Sequence, residues 1–168
     1  MDVLERFLKY VQVDTQSKED EEVFPSTEKQ KNLGRMLYEE LQSLGADDVV
    51  MDGNGYEYAK LPATDGGRER STLGFLAHMD TSPDASGADV KPQVIANYDG
   101  GDIVLNAEKN IVLSPKTYRE LSQYVGKTIV TSDGTTLLGA DDKAGVAEIM
   151  TMAEYLLTHK EVKHGRIA

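Results

Sequence analysis

The sequence contains no cysteine, and histidine occurs only three times in 168 residues. The lack of cysteine excludes disulfide bridges, thiolate zinc sites, iron–sulfur clusters and cysteine nucleophiles. Any metal ion that this chain binds must therefore be held by histidine nitrogens and carboxylate oxygens.

Long hydrophobic runs and two common catalytic signatures are missing as well. No apolar run approaches the roughly 18 residues that suggest a membrane span. The sequence has neither the GxxxxGK[ST] pattern of a phosphate-binding loop nor the GxSxG pattern of a nucleophile elbow. The opening residues, MDVLERFLKY, contain acids and lack the apolar core of a signal peptide. We therefore expect a cytoplasmic protein without membrane contact.

Basic residues are in the minority, and this bears on possible partners. The chain has 29 acidic and 18 basic residues, which gives a formal net charge of -11. Such a surface repels phosphate backbones, so we expect no nucleic-acid partner. Acidity of this kind is otherwise typical of a soluble protein surface.

Hydrophobic residues, at 39% of the chain, are numerous enough to form a core, and their spacing predicts three helices. One covers residues 2–12, where apolar side chains repeat at helical intervals. A second lies between Thr27, which has capping-box spacing with Gln30, and Gly45, which is typical of a helix end. A third helix covers residues 143–158 and has apolar residues on most of its faces.

Strand patterns alternate with these helices and predict an α/β fold. Residues 48–61 have the alternation and glycine-rich turn of a hairpin. The continuous apolar run at 72–78 predicts a strand buried on both faces, and 127–142 predicts strand, turn, strand and a sharp break. Shorter strands are expected near 93–96, 103–105 and 111–113, with a short helix over 115–124. We expect a mixed, twisted sheet flanked by helices, in a three-layer α/β sandwich.

A histidine and an aspartate follow the predicted strand at 72–78. His78 and Asp80 are two positions apart, which places both on one side of an extended chain. Asp80 can then accept one ring N–H of His78 and leave the other nitrogen facing outward, as in a carboxylate–histidine–metal relay. A histidine that only closes a strand end fits the same spacing. The remaining histidines, His159 and His164, lack an HExxH pattern and are expected to be structural or exposed.

Asp141 and Asp142 form an acidic pair between a predicted strand and a predicted helix. Asp142 is suited to cap the helix, because a carboxylate there accepts free N–H groups and meets the favourable end of the dipole. Asp141 has no such task and can point into the crevice that holds His78. Adjacent carboxylates repel each other, so Lys143 or a metal ion would have to supply positive charge. A metal site and a structural role both stay open at this point.

Two stretches, taken together, resemble the peptidase T family. They are GFLAHMDTSPDASGADVKPQVIANYDGGDIVL (74–105) and TSDGTTLLGADDKAGVAEIMTMAEYLL (131–157). VDTQS at 13–17 resembles it too, and the likeness runs along essentially the whole chain. The family consists of zinc-dependent tripeptide aminopeptidases, in a superfamily of co-catalytic metallopeptidases that also contains aminoacylases and glutamate carboxypeptidases.

The resemblance implies roles for three residues. His78 would ligate one zinc ion, Asp80 would orient that histidine as part of the catalytic apparatus, and Asp141 would bridge two zinc ions. Family members often have a cis peptide bond after the bridging aspartate, so one is expected between Asp141 and Asp142. The implied reaction is metal-assisted hydrolysis that releases the N-terminal residue of a tripeptide.

The resemblance also implies that these residues do not complete the enzyme. The family's catalytic Glu-Glu pair lies on the strand that GRIA at 165–168 would begin, and further ligands and a lid domain that often mediates dimerisation lie later. We therefore interpret residues 1–168 as the N-terminal part of the catalytic domain. Because catalytic zinc normally takes three protein ligands, we expect weak or no zinc binding and no peptidase activity by this chain alone. Uncovered apolar surface should favour self-association.

Two other functions stay open from the sequence. One is a different di-zinc amide hydrolase of the same superfamily, such as a dipeptidase or a deacylase. The other is a non-catalytic acidic interaction domain, which applies if the native chain really ends at residue 168. The intact mass of the native protein separates the enzyme from the interaction domain.

Overall fold

The computed structural model describes residues 1–64 and 66–168. In this part of the chain the α-helices are α1 (Val3–Val11), α2 (Gln30–Leu44) and α3 (Ala140–Thr158). The strands are β1 (Asp47–Met51), β2 (Glu57–Lys60), β3 (Gln93–Ile95), β4 (Ile103–Asn106), β5 (Ile111–Leu113) and β6 (Ile129–Thr131), with a 3₁₀ helix at Arg119–Tyr124. The three predicted helices, the hairpin and the short strands between residues 93 and 113 are confirmed.

Local capping explains where the first two helices begin and end. The Asp2 carboxylate accepts the Glu5 N–H at 2.8 Å, and the Glu5 carboxylate accepts the Asp2 N–H at 2.9 Å, which is a complete capping box. Helix α2 ends at Gly45, whose φ of 80° is left-handed, as expected. The capping box expected at the start of α2 is wrong, because the Gln30 amide donates to the Thr27 hydroxyl rather than capping a backbone group.

A buried ionic network joins the three helices. The Arg6 guanidinium on α1 donates to Glu40 on α2 at 2.8 Å and to Glu154 on α3 at 2.5 Å. The Tyr10 hydroxyl donates to the same Glu40 carboxylate at 2.8 Å. Burial, together with the Glu40 carboxylate, raises the pKa of Tyr10. Apolar side chains of all three helices pack around this network and form the main core. None of the helices in the described residues is long and apolar enough to cross a membrane.

The strands confirm the mixed α/β class, although they pair differently from one continuous sheet. In the described residues β1 pairs with β2, β3 with β6 and β4 with β5, each pair antiparallel. The mixed pairing lies around Ile167, which bridges Leu61 in antiparallel and Leu73 in parallel orientation. The strand expected to begin at 165–168 is therefore present as extended, paired chain.

The apolar run at 72–78 pairs but is not buried, so that expectation is wrong. Leu73 is 59% exposed and Leu76 is 96% exposed. Among the described residues, the backbone hydrogen bonds of this run go to residues 166–168, for example from the Phe75 N–H to the Ala168 carbonyl at 2.9 Å. Burial depends on what packs over a strand, and in the described part of the chain nothing covers Leu76.

The second strand expected after β6, at residues 135–138, is also wrong. The Asp133 carboxylate accepts the Thr135 N–H at 2.9 Å and the Thr135 hydroxyl at 2.5 Å. The Leu137 N–H donates to the Ser86 carbonyl at 2.9 Å. The local bonds of Asp133 compete with a strand ladder for the backbone. The bond from Leu137 to Ser86 connects the segment to the loop that follows His78.

Candidate active site

Two segments distant in sequence meet at the candidate active site. His78 lies at the end of the exposed apolar run, and Asp141 lies where α3 begins. The His78 Nε2 is 3.0 Å from the Asp141 Oδ1. Both side chains are open to solvent, with 52% of His78 and 96% of Asp141 exposed. A ligand can therefore reach this contact from outside.

Asp80 holds the other side of the imidazole ring. The His78 Nδ1 lies 3.1 Å from the Asp80 Oδ1 and 3.0 Å from the Asp80 carbonyl oxygen. Acceptors on both ring nitrogens cannot be satisfied by a neutral imidazole, which has one N–H. Burial lowers the pKa of His78, but the hydrogen bonds and charges of Asp141 and Asp80 outweigh it and raise the pKa overall. Protonation of the ring, or a cation at Nε2, would satisfy the arrangement.

Asp142 has the capping role that the sequence predicted. Its Oδ1 accepts the Gly145 N–H at 3.2 Å. Asp141 and Asp142 both depart from helical backbone angles, so the regular part of α3 begins after them. The expected cis peptide bond between Asp141 and Asp142 is present. One carboxylate thus caps the helix while its neighbour faces His78.

Lys143 does not neutralise the acidic pair. Its side chain is only 1% exposed, and its Nζ donates to the Val13 carbonyl at 2.7 Å. Burial lowers the pKa of Lys143 to about 8, opposed by the nearby charge of Asp14. The sequence left Lys143 and a metal ion as possible sources of positive charge for the acidic pair. Lys143 is directed away from that pair, to the Val13 carbonyl.

A loop after α1, Val13–Ser17, packs against the same two segments. The Thr81 N–H donates to the Thr15 carbonyl at 3.2 Å, and the Ser17 N–H donates to the Thr81 carbonyl at 2.9 Å. The spacing of individual residues did not predict a role for this loop. Its sequence signal was the resemblance of VDTQS to the family. Gly139 also approaches closely, because a Cβ there would lie 3.1 Å from the Thr81 Cγ2.

The rings of the other histidines bond within their own segments, as expected for structural residues. The His159 ring stacks on Tyr155 with centroids 4.1 Å apart, and its Nδ1 lies 2.9 Å from the Tyr155 carbonyl. The His164 Nδ1 lies 2.7 Å from the Gly165 carbonyl.

The donor set fits part of a zinc site. An imidazole nitrogen and a carboxylate are both common zinc ligands, and the carboxylate behind His78 is a typical orienting partner. Within residues 1–64 and 66–168, however, no group of three or more histidine, aspartate and glutamate side chains is arranged to hold a metal ion. His78 and Asp141 can supply two ligands, fewer than catalytic zinc normally takes.

Two solved peptidases share the fold. A tripeptidase from Staphylococcus aureus superimposes with a TM-score of 0.59 at 24% identity, over 98% of this chain and 34% of that one. Aminoacylhistidine dipeptidase from Vibrio alginolyticus also gives 0.59, at 22% identity, over 98% of this chain and 26% of that one. At such identities the likeness concerns the fold, and it confirms the expected class.

Curated relatives carry the likeness in sequence. Peptidase T from Alkaliphilus oremlandii is 58% identical over 168 residues, which are 98% of this chain and 41% of the relative. Peptidase T from Brevibacillus brevis is 59% identical over 167 residues, 99% of this chain and 40% of the relative. The resemblance to peptidase T is thus confirmed. The chain spans about two fifths of the length of these relatives, and no protein-family model matches it.

Proposed function

We propose that this chain is the N-terminal part of the catalytic domain of a zinc-dependent aminopeptidase, which releases the N-terminal residue of tripeptides in the cytoplasm. The observation that carries the proposal is the meeting of His78 and Asp141, with Asp80 behind the histidine. The relatives named Peptidase T support the reaction and the tripeptide substrate.

In this proposal each of the three residues has one task. His78 would hold zinc through Nε2, and Asp141 would hold it through its carboxylate. Asp80 keeps the proton on Nδ1, so that Nε2 presents its lone pair. Zinc bound at such a site supplies the Lewis acidity that peptide-bond hydrolysis requires.

The first experiment measures the intact mass of the native protein and its hydrolysis of a tripeptide. We expect a polypeptide that extends beyond residue 168, whose activity disappears with a chelator and returns with zinc. His78→Ala should abolish the activity, and the matched variant His159→Ala should keep it. Full activity in His78→Ala would overturn the proposed site.

The 168-residue chain alone should behave differently. Because His78 and Asp141 are two ligands shared between two metals, we expect weak or no zinc binding and no hydrolysis. Tripeptide hydrolysis by the purified chain, free of host peptidases, would contradict the proposal that residues 1–168 are only the N-terminal part of the catalytic domain.

Another di-zinc amide hydrolase is the second candidate. It is favoured by the fold of the dipeptidase, which matches this chain with the same TM-score as the tripeptidase. A panel of tripeptides, dipeptides and N-acyl amino acids separates the two. A native protein whose mass ends at residue 168 would favour the non-catalytic interaction domain instead.

A further inference from the structure

The loop Val13–Ser17 bonds to the segment that carries His78 and Asp80. These bonds run between backbones: the Thr81 N–H donates to the Thr15 carbonyl, and the Ser17 N–H donates to the Thr81 carbonyl. Thr15 and Thr81 are almost completely buried. The loop is therefore fixed to the residue that directly follows Asp80.

The same loop reaches the Asp141 segment through a side chain. The Lys143 ammonium, two residues after Asp141, donates to the Val13 carbonyl at 2.7 Å. Burying an ammonium is costly unless it is hydrogen-bonded and near a countercharge. The Val13 carbonyl meets the first need, and the Asp14 carboxylate contributes to the second.

Asp14 also stiffens the loop itself. Its Oδ1 accepts the Gln16 N–H at 3.0 Å, and its Oδ2 accepts the Lys29 ammonium at 2.9 Å. The loop is thus tied to the residue that directly precedes α2 as well, and it offers Lys143 a fixed acceptor rather than a mobile one.

We propose that the loop Val13–Ser17 is the positioning element of the candidate active site, and that Lys143 is the residue through which it sets Asp141 against His78. The loop holds one segment by its backbone and the other by the Lys143 hydrogen bond. Loss of that bond leaves the start of α3 free to move, and the 3.0 Å contact between His78 and Asp141 opens. The role of this positioning in catalysis rests on the proposed function, but the contact between His78 and Asp141 can be measured in the metal-free chain.

The experiment compares Lys143→Met with Lys60→Met in the 168-residue chain. Methionine keeps a long apolar stem and removes the ammonium, and Lys60 is an exposed lysine on β2. Without metal, we expect nuclear Overhauser effects between the His78 ring and the Asp141 β-protons in the original chain and in Lys60→Met. Lys143→Met should lose them while its unfolding transition remains cooperative. A retained contact in Lys143→Met would overturn the proposal.

A second variant covers the case in which Lys143→Met does not fold. Asp14→Asn keeps the size of a partly exposed side chain and removes the charge that supports the loop and Lys143. We expect the nuclear Overhauser effect between the His78 ring and the Asp141 β-protons to be at least twofold weaker than in the original chain. An unchanged effect in this folded variant would count against the positioning role.

A titration with Zn²⁺ alone, followed by the His78 ring signals, separates this inference from the proposed function. If the original chain responds, Lys143→Met should need about tenfold or more zinc for the same response, since loss of an orienting partner typically costs 10–100-fold in affinity. An equal zinc requirement would contradict the positioning role. Ring signals that do not respond to zinc in the original chain would agree with the weak or absent zinc binding expected of this chain alone, and the metal-free contact would then decide the positioning role.

Discussion

The His78 Nε2 and the Asp141 Oδ1 lie 3.0 Å apart, although 63 positions separate the two residues in the sequence. The fold thus brings a ring nitrogen that Asp80 orients against a carboxylate that the neighbouring Asp142 leaves free.

The tautomer of His78 should depend on Asp80. Since the Asp80 carboxylate and its carbonyl both face Nδ1, we expect the neutral ring to carry its proton there. Asp80→Ala removes the stronger acceptor and should give a mixture of tautomers. Nitrogen-15 spectra of the ring at alkaline pH measure this. A proton on Nε2 in the unsubstituted chain would contradict the orienting role of Asp80.

Gly139→Ala should destabilise the fold by about 1–3 kcal/mol. Gly139 has a φ of 77°, which costs a non-glycine residue about 1–2 kcal/mol, and its Cβ would press on Thr81. Gly45→Ala is the matched control, because Gly45 has a φ of 80° and open space around it. Urea unfolding should show the larger loss for Gly139→Ala. Equal losses would mean that the approach to Thr81 contributes nothing.

Arg6→Met should cost about 3–5 kcal/mol of unfolding free energy, because it leaves Glu40 and its neighbours without their buried partner. The double variant with Glu40→Leu should recover part of that loss, since both charges then leave the interior. Denaturant unfolding of the single and double variants forms a coupling cycle. Strictly additive losses would show that the pair is not coupled.

Glu57 makes stability dependent on pH. Both of its carboxyl oxygens are buried without a hydrogen-bond partner among the described residues, and burial raises the pKa of Glu57 to about 8. The folded state then holds a proton that the unfolded state releases above its ordinary pKa of about 4.3. The free energy of unfolding should therefore fall as the pH rises toward 8.

Glu57→Met tests this relationship directly. It should flatten the fall between pH 5 and 8, and at pH 8 it should stabilise the protein by about 1–3 kcal/mol, the cost of an unsatisfied buried polar group. Glu22→Met, at an exposed position, should leave the pH dependence unchanged. Chemical unfolding at several pH values supplies the comparison. If the unfolding free energy of Glu57→Met still falls as the pH rises, another group is responsible for the pH dependence.

The exposed apolar run should lead to self-association. Leu73, Phe75 and Leu76 present apolar side chains to solvent along the same extended segment, and an exposed apolar patch of this kind favours association. We expect dimers or larger species by light scattering, reduced by Leu76→Lys and unaffected by Val23→Lys at another exposed site. A monomer at high concentration would count against this surface.

Local elements were predictable from the sequence because their causes lie within a few residues. The first helix, the hairpin of β1 and β2 and the end of α2 at Gly45 all follow from the spacing of nearby side chains and from turn residues. The candidate residues His78, Asp80 and Asp141 were found by motif and family likeness, and the capping role of Asp142 by its position before a helix.

Burial and the direction of long side chains were decided by the tertiary structure. Leu76 is as apolar as a core residue and yet is exposed, because burial requires a covering element that no local pattern specifies. Lys143 stands beside two carboxylates in the sequence and turns instead to Val13, 130 positions away. By itself the sequence determined which groups could carry the chemistry. Only the packing of distant segments determined which of them meet, because contact distances depend on the whole chain.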